Sequence, residues 1–491
     1  MRIIIVISSQ ELVRNYLNSN ALSSLAKKHD LYLLYKDTLT LQESSTLVFK
    51  EVSTFKAQDY LNISRLVQDL QMLRWKNKSS GFRYRIKRKF PPLKWEVIQI
   101  RDQIIGRIRM SEITFGNYFK RDKILSLVKI FLVCLYLSAV VVRKKLKKLI
   151  LFAVSSRFIF PIAMRSLLFI RKKNTMISNY LLDNDFDLLL YPSSAYEPEL
   201  IDIVNAARRF KVKSLMLVDN WDNLSSKTVI SHKPDFIATW GDQSSTHAVE
   251  IQGFPRDRCF NLGTPRIDPY FFHKPFDADA SLEFQYILVV GSSAPYDEAG
   301  LIYKLDDEVS QNPNIYGEVK ILFRPHPLRT SLDRVALENL KSTLLDTSVQ
   351  KYYLRAGNQN LDRIPLPPLD GYHQLIGNAS IVVSGITSMM IEASIFNKKC
   401  LVMGFDEASN ITNPAMMLSV YPHFQGIENL PNLKVCRDQE SLIQEVRLHF
   451  QGITRLKDFS KEELSYFIYS DSKPYPERLL LLVESLESVK V

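Results

Sequence analysis

Short apolar runs alternate with amphipathic stretches along most of the 491-residue chain. The first run, in "MRIIIVISSQ", is about five residues long and is followed by a helical stretch and a second apolar run at 29–35. Its length suits a buried strand, and it lacks the longer apolar region and cleavage site of a signal peptide. The N-terminus therefore predicts the start of a βαβ alternation.

The same alternation resumes after residue 176 and continues into a second unit. Predicted strands lie at 186–194, 212–220, 233–241, 258–268, 286–293, 319–327, 379–385 and 400–405, and "TSMMIEASIFN" (387–397) predicts a helix. Strands that are apolar along nearly their whole length, with helices between them, are typical of parallel sheets covered on both faces. We therefore predict an α/β protein with two Rossmann-like domains facing across a cleft.

Domain boundaries follow from length and from breaks in the pattern. A chain of this size predicts about two to three domains. The stretch "PYFFHKPFDADASLEF" (269–284) has the composition of a linker. We predict an N-terminal domain at 1–270, a linker at 271–284, a second domain at 285–450 and a mostly helical C-terminal segment at 451–491.

Residues 70–175 interrupt the first domain with a basic and apolar helical insertion. Positions 70–173 contain 26 lysines and arginines against four acidic residues, a local charge of +22 in a chain of net charge +12. The run 124–142 is long enough to cross a bilayer, and the run 149–170 carries Arg157 and Arg165, which suit a helix in the headgroup region. Polybasic flanks favour an anionic membrane surface over nucleic acid, for which no motif is present.

A monotopic anchor is the preferred interpretation of the insertion, ahead of core helices of an enlarged domain and of a true transmembrane span. We therefore expect the protein at the cytoplasmic face of the membrane.

Metal-binding patterns are weak in this sequence. The four cysteines have no CxxC or metal-ligand spacing, which favours a reducing compartment and predicts neither disulfides nor a zinc site. The "DND" at 183–185 is like the Asp-x-Asp metal motif but precedes its strand, so it predicts a turn. No metal and no cofactor are predicted.

Candidate ligand-binding residues follow the strands of the second unit, where open parallel sheets bind ligands. After the first strand, a Gly-Ser-Ser loop lets backbone N–H groups approach a phosphate. After the next strand comes a histidine with an arginine nearby, which adds positive charge. Further along, a Thr-Ser pair stands where a helix begins, and its hydroxyls and the helix N-terminus together form an anion site. A glutamate one helical turn later suits a ribose hydroxyl. These residues are Gly291, Ser292, Ser293, Arg324, His326, Thr387, Ser388 and Glu392. Each alone also fits a turn, a helix cap or a solvated helix residue, and their order in one unit is what predicts a nucleotide pocket.

The segments "FRPHP" and "VVSGITSMMIEASIFNKKCLVMGFD" resemble the donor-binding domain of glycosyltransferases with the GT-B fold. They are similar to two branches: the CDP-glycerol glycerophosphotransferases of teichoic acid synthesis, and the bacterial sialyltransferases and Kdo transferases of capsule assembly. The latter hold CMP with a His-Pro and a serine motif. Residues 234–268 look like the stretch that closes the acceptor domain, and the resemblance covers roughly 180–410. It implies a CMP- or CDP-linked donor, although related GT-B enzymes use UDP- or GDP-sugars.

The segment "LMLVDNWDNLSSK" (215–227) places two carboxylates beside a tryptophan at the end of a strand. By the same resemblance, this segment falls where the glycerophosphotransferases carry a Trp-His-Gly segment, in which the histidine is the base. Here Trp221 matches the tryptophan, and Asp222 stands in the place of that histidine. A carboxylate suits sugar transfer, because it can take the proton of the acceptor hydroxyl or stabilise an oxocarbenium-like transition state. Asp222 is therefore the predicted catalytic residue, with Asp219 as its partner or substitute. The alternative is that both aspartates cap a turn.

Other polar residues are weaker candidates. Glu197 and Glu199 follow a strand and could contact an acceptor, but acidic residues in the first turn of a helix are ordinarily explained by the dipole. His247 and Arg266 could reach the cleft, although no spacing assigns them a role.

These observations predict a metal-independent GT-B glycosyltransferase of bacterial surface glycan synthesis, such as that of capsule or lipopolysaccharide. It would move a sugar, preferably an acidic one from a CMP donor, onto a lipid-linked or polysaccharide acceptor. The alternatives are a CDP-glycerol or CDP-ribitol phosphotransferase, a UDP-sugar 2-epimerase, and a membrane scaffold whose nucleotide site has decayed. The sequence leaves open the sugar, the acceptor, the linkage, the anomeric outcome and the oligomeric state.

Overall fold

The computed structural model describes residues 1–489 except 42–46, 57–60, 91–141, 144, 196, 273–281, 283, 293–297, 327–339, 348–364, 367–368, 406–412 and 458–460. The described chain forms two compact units, Tyr60–Lys172 and the remainder. The larger unit contains both sheets, and the smaller one nearly coincides with the insertion predicted at 70–175.

The first sheet has seven parallel strands in the order β3-β2-β1-β4-β5-β6-β7. They are β1 Arg2–Ile7, β2 Asp30–Lys36, β3 Glu51–Phe55, β4 Leu188–Ser193, β5 Lys213–Val218, β6 Phe236–Thr239 and β7 Cys259–Asn261. The order reverses between β1 and β4, which pair directly through Ile3–Leu188 to Ile5–Leu190. Such a reversal opens a crevice at the carboxyl ends of the two strands.

The second sheet has six parallel strands in the order β10-β9-β8-β11-β12-β13. They are β8 Tyr286–Val290, β9 Lys320–Arg324, β10 Thr343–Leu345, β11 Ile381–Ser384, β12 Cys400–Met403 and β13 Leu433–Cys436. This is the doubly wound order of Rossmann domains, with its reversal between β8 and β11. The two sheets confirm the predicted α/β class with two Rossmann-like domains.

Helices cover the sheets and make up most of the described part of the smaller unit. In the larger unit they are Gln10–Leu12 with a π turn at Val13–Leu17, Ser23–Lys28, Thr175–Asp183, Leu200–Phe210, Asp242–Glu250, Asp268–Phe272, Glu298–Gln311, Pro313–Tyr316, Asp370–Asn378, Met389–Ile395, Pro414–Val420, Gln439–Phe450, Lys461–Ser465 and Tyr475–Glu487. In the smaller unit they are Leu61–Arg74, Ser80–Lys89, 145–154 and Phe160–Ile170.

Alternate residues of β1 face two separate cores. Ile3, Ile5 and Ile7 lie in one cluster, whereas Ile4 and Val6 lie in the other, and all five are almost fully buried. A strand in the middle of a covered parallel sheet has no solvent face, and this explains its continuous apolar run.

The C-terminal helix Tyr475–Glu487 packs on the first sheet although it follows the second sheet in the chain. Leu479 and Val483 are fully buried in the same cluster as Ile3 and Leu190. Each such side chain contributes about 1.5–3 kcal/mol through burial. The end of the chain therefore joins the N-terminal core, a placement that the predicted boundary at 451 did not include.

The described part of the smaller unit is helical and exposes several large apolar side chains, such as Phe158 and Phe169. Within it Trp75 and Phe160 pack edge to face with ring centroids 5.4 Å apart. Among the described residues, no helix combines the length and apolar character needed to cross a bilayer. The run predicted at 124–142 lies outside the described residues except for Val142.

Candidate functional site

The carboxyl end of β5 positions Asp219. Its backbone N–H donates to the Ser193 carbonyl at 3.0 Å, and its side chain is only 2% exposed. The Asn15 amide donates to Oδ1 at 2.9 Å and the Asn220 amide donates to Oδ2 at 3.2 Å. Burial raises the pKa of Asp219 above its ordinary value, while the hydrogen bond from Asn15 opposes the rise. Asp219 is thus a buried carboxyl group whose two oxygens are both engaged.

Trp221 belongs to an aromatic cluster. It is 5% exposed, and its ring lies 5.2 Å from His423, 5.6 Å from Phe424 and 6.1 Å from Phe467. The three partner rings all come from residues that follow the second sheet's β12. Packing against them explains the tryptophan that the sequence places at the end of β5.

Asp222 begins the π turn Asn223–Lys227, but its side chain makes no cap hydrogen bond. The carboxylate instead pairs with Lys227 at 3.2 Å and is 23% exposed. Partial burial acts to raise the pKa of Asp222, but Lys227 and His423 outweigh it, so the pKa is below its ordinary value. Asp222 is therefore an ionised, weakly basic group at neutral pH.

Arg266 connects the edges of the two sheets. Its guanidinium donates to Asn220 Oδ1 at 3.3 Å on the first sheet's side and to Ser388 Oγ at 3.1 Å on the second sheet's side. It also pairs with Glu392 Oε1 at 3.4 Å and stacks 5.2 Å from the Trp240 ring. Its Nε–H is buried and has no hydrogen-bond partner among the residues that the structure describes. The structure thus gives Arg266 a position that the sequence alone did not assign.

Ser388 and Glu392 lie on one face of the helix Met389–Ile395 and its preceding turn. Ser388 donates to Glu392 Oε1 at 2.9 Å, which confirms the predicted one-turn spacing. Tyr270 donates to the other Glu392 oxygen at 3.1 Å, and Glu392 is 3% exposed. Thr387 accepts from the Met389 N–H at 3.3 Å. The ribose contact of Glu392 stays a prediction, since its oxygens are engaged by protein donors here.

Gly291 and His326 meet where β8 and β9 end. A Cβ on Gly291 would lie 2.6 Å from the His326 backbone nitrogen, so close packing alone accounts for this glycine. Ser292 donates its N–H to the buried Glu298 at 2.7 Å, and His326 is half-buried. Ser293 lies outside the described residues.

Arg324 ends β9 and pairs with Asp346 at 2.6 Å. Its guanidinium also stacks 4.4 Å from the Tyr372 ring centroid. The charge of Arg324 is therefore balanced by a protein carboxylate, and its predicted contact with a donor phosphate stays a prediction.

Three residues after β1 were not among the predicted site residues. Asn15 holds the turn 13–17 against Asp219, and Arg14 donates to Asn15 Oδ1 at 3.0 Å. Glu11 is exposed as a whole residue, and the charges of neighbouring side chains act on its carboxyl group. Burial raises the pKa of Glu11 and Asp219 adds to the rise, while Arg14, Lys227 and Arg266 oppose it. In the second unit, candidates were selected because they follow the ends of strands. The same criterion applied to β1 would have selected these three residues as well.

The weaker candidates have structural roles. Glu197 accepts from the hydroxyls of Ser193 and Ser194 at 2.6 and 2.8 Å, and Glu199 lies buried, 4.0 Å from Lys36. Asp183 ends the helix Thr175–Asp183, and 184–187 connect that helix to β4, so the Asp-x-Asp pattern precedes the strand as the sequence indicated.

Two histidines near the edges are buried. Burial lowers the pKa of His247 to about 4 and that of His423 to about 3. His423 shares a 2.9 Å hydrogen bond with Ser225, and no pattern in the sequence indicated this contact. Within the described part of the chain, no group of three or more His, Cys, Asp or Glu side chains has the geometry of a metal site.

No protein-family profile and no curated protein matches the sequence. Solved structures share the overall arrangement at low similarity. The UDP-GlcNAc 2-epimerase from Methanocaldococcus jannaschii is 11% identical with a TM-score of 0.46 and covers 99% of this chain and 100% of its own. CalG4, the calicheamicin glycosyltransferase, is 12% identical with a TM-score of 0.44, covering 100% and 99%. The wall teichoic acid polymerase TagF is 11% identical with a TM-score of 0.34, covering 64% and 85%.

The architecture is GT-B-like, as the sequence predicted: two Rossmann-like domains with six and seven parallel strands. Likenesses at this level assign neither a substrate nor a reaction to the chain. They give no specific support to the resemblance to CMP-Kdo and sialic acid transferases.

Proposed function

We propose that this chain is a glycosyltransferase that takes a sugar from a nucleotide-activated donor and transfers it to a glycan or glycolipid acceptor. The observation that supports this most is the position of Arg266, which contacts both the carboxyl edge of the first sheet and the Ser388–Glu392 pair of the second. A donor held at the second edge would thus lie within reach of carboxylates at the first.

The donor's phosphate would lie near His326, Thr387 and Ser388, with its ribose toward Glu392. The preferred donor is a CMP-linked acidic sugar, as the resemblance implies. Transfer forms a bond from the acceptor oxygen to the anomeric carbon while the bond from that carbon to the phosphate oxygen breaks. The electron pair leaves with the phosphate, and the guanidinium of Arg266 supplies positive charge for it. Asp222 and Asp219 are the carboxylates that the sequence predicts for the chemistry.

The smaller unit supports an anionic membrane surface as partner. In the helix Phe160–Ile170, Ile162 and Phe169 are 68% and 88% exposed, and Arg165 lies on the same face. No acidic residue occurs between 145 and 173. Apolar side chains beside a run of cations are typical of helices that lie in a headgroup layer. We therefore place the enzyme at the cytoplasmic face of a membrane that carries its acceptor.

Nucleotide binding tests the donor assignment. We expect CMP or CDP to raise the melting temperature of the full chain more than UDP or GDP, because a ligand at 100 times its Kd stabilises the native state by about 2.7 kcal/mol. Stabilisation by UDP alone would contradict the cytidine assignment. No stabilisation by any of the four at millimolar concentration would contradict the proposed function and favour a scaffold.

Product analysis tests the reaction class. Sugar nucleotides incubated with membrane extract as acceptor should release free nucleotide and glycosylated lipid or polysaccharide. An epimerised sugar formed without acceptor would instead identify an epimerase, and a phosphodiester formed from CDP-glycerol would identify a phosphotransferase.

A further inference from the structure

Glu11 lies at the place where the first sheet opens a crevice. It follows β1 by four residues, and β1 and β4 are the two strands between which the strand order reverses. The predicted donor residues Gly291, Thr387 and Ser388 occupy the corresponding place in the second sheet, after β8 and β11. Glu11 is therefore the first sheet's counterpart of the donor loops, by topology alone.

Contacts around Glu11 hold its turn in place. Asn15, one helical turn later, donates to buried Asp219 at 2.9 Å, and Arg14 donates to Asn15 at 3.0 Å. Asp219 thus anchors the segment after β1 to the end of β5. As a whole residue Glu11 is exposed, but its carboxyl group is partly withdrawn from solvent, since burial is the largest cause of its raised pKa. The charges of Asp219, Arg14, Lys227 and Arg266 also act on it.

Asp219 and Asp222, the two carboxylates that the sequence predicted for the chemistry, are less suited to take a proton from an acceptor. Asp219 is 2% exposed and both its oxygens accept hydrogen bonds from amides. Asp222 is held by Lys227 at 3.2 Å, which keeps it ionised. A general base needs access to the acceptor and a pKa closer to the working pH. Glu11 is the one of these three that combines exposure with a raised pKa.

We propose that Glu11 is the general base of the transfer reaction and that it contacts the acceptor hydroxyl. The inference rests on the proposed function and names the residue that carries out its proton transfer. The acceptor proton passes to a Glu11 oxygen as the acceptor oxygen bonds to the anomeric carbon. The bond to the donor phosphate breaks in the same step, and Asp219 and Asn15 act as positioning residues.

Turnover of Glu11→Gln tests this assignment. The substrate is whichever of CMP-sialic acid, CMP-Kdo, UDP-GlcNAc and GDP-mannose the wild-type chain consumes fastest with membrane extract. We expect at least a 100-fold loss of kcat in Glu11→Gln, since general base catalysis contributes about 10²–10⁴-fold. The affinity for the free nucleotide should stay within about 2-fold. Glu250→Gln changes an exposed glutamate at the end of Asp242–Glu250 and should match wild type.

The pH profile separates a base from a merely structural residue. Wild-type kcat should fall on the acid side as Glu11 is protonated, and this limb should disappear in the residual activity of Glu11→Gln. Full turnover in Glu11→Gln, or a large loss confined to Asp222→Asn, would overturn the proposal and leave the glycosyltransferase assignment intact.

Carboxyl labelling provides a readout that does not need turnover. A carbodiimide with glycine ethyl ester should modify Glu11 in the free chain, and the sugar nucleotide that stabilises the chain most should protect it. Equal labelling with and without a bound sugar nucleotide would also overturn the proposal. Failure of every nucleotide to bind would overturn the proposed function itself.

Discussion

Arg266 is the residue at which the two halves of the candidate site meet. It is balanced by Glu392, whose side chain is only 4% exposed, and its own side chain is 16% exposed. Without the cation, keeping the Glu392 carboxylate buried would cost free energy of desolvation. The hydrogen bonds from Ser388 and Tyr270 would offset only part of that cost. The Arg266–Glu392 ion pair therefore stabilises the fold with the same two side chains that are proposed to lie beside the donor.

Arg266→Ala should lower the free energy of unfolding by about 1–3 kcal/mol, because Glu392 stays buried without its cation. Urea denaturation followed by fluorescence measures this change. Arg256→Ala, at an exposed position after Pro255, is the matched control and should stay within about 0.5 kcal/mol. Equal stabilities of the two variants would show that the ion pair contributes nothing.

The turns Asn223–Lys227 and Pro422–Phe424 form a contact between elements far apart in the chain. His423 hydrogen bonds to Ser225 and packs against Trp221, and it is 4% exposed. The surrounding charges are Asp222, which favours protonation, and Lys227 and His247, which oppose it, but burial is the largest effect. The contact thus depends on a neutral histidine.

His423 should make the native state sensitive to acid. Its pKa is about 3 in the folded protein, below its ordinary value of about 6.5, so the unfolded chain binds the proton first as pH falls. Stability from this group is complete above about pH 6.5 and decreases toward pH 3, by up to about 1.4 kcal/mol per pH unit. His423→Gln keeps a hydrogen-bonding group but cannot titrate here, so urea melts at pH 5 and 7 should differ less than in wild type.

His247, with a pKa of about 4, should contribute a second and separable share of the same sensitivity. His247→Gln therefore serves as the comparison variant. An unchanged acid dependence in both variants would contradict this account.

At the scale of the whole molecule, the described part of the smaller unit is notable for the large apolar side chains that it exposes to solvent. Phe158, Phe169 and Leu149 are 84%, 88% and 68% exposed within a stretch that carries only positive charge. Exposed apolar groups of this size, flanked by cations, are the basis for the proposal that this surface meets an anionic membrane.

The full chain should bind vesicles of phosphatidylglycerol and phosphatidylcholine but bind pure phosphatidylcholine weakly. Flotation at low and high salt measures this, and salt should weaken binding because the cations are screened. Phe169→Glu should reduce binding several-fold. Val48→Glu, which changes another exposed apolar residue in the larger unit, is the control and should bind as wild type. Equal binding to neutral and anionic vesicles would contradict the electrostatic part of the proposal.

Strand prediction succeeded in the middle of each sheet and missed three of the four edge strands, β7 being the one that was predicted. β1, β4, β5, β8 and β11 all lie within or close to predicted apolar runs. The strands β3, β10 and β13, which were not predicted, are edge strands of their sheets. In β3, four of the five residues are partly or fully exposed. An edge strand needs fewer apolar residues, so its pattern is weak.

The sequence by itself determined the α/β class, the two Rossmann-like units, four of the six strands of the second sheet and the basic composition of 70–173, because each leaves a local pattern of apolar or charged residues. Only the tertiary structure decided that Asp222 pairs with Lys227, that Trp221 packs on His423, that Arg266 reaches Glu392 and that the C-terminal helix returns to the first sheet. The Asp222–Lys227 contact is local and depends on the side-chain conformations. The other contacts join residues more than a hundred positions apart in the chain. Hydrophobic periodicity specifies which face of an element is buried, but not which distant polar group lies opposite it.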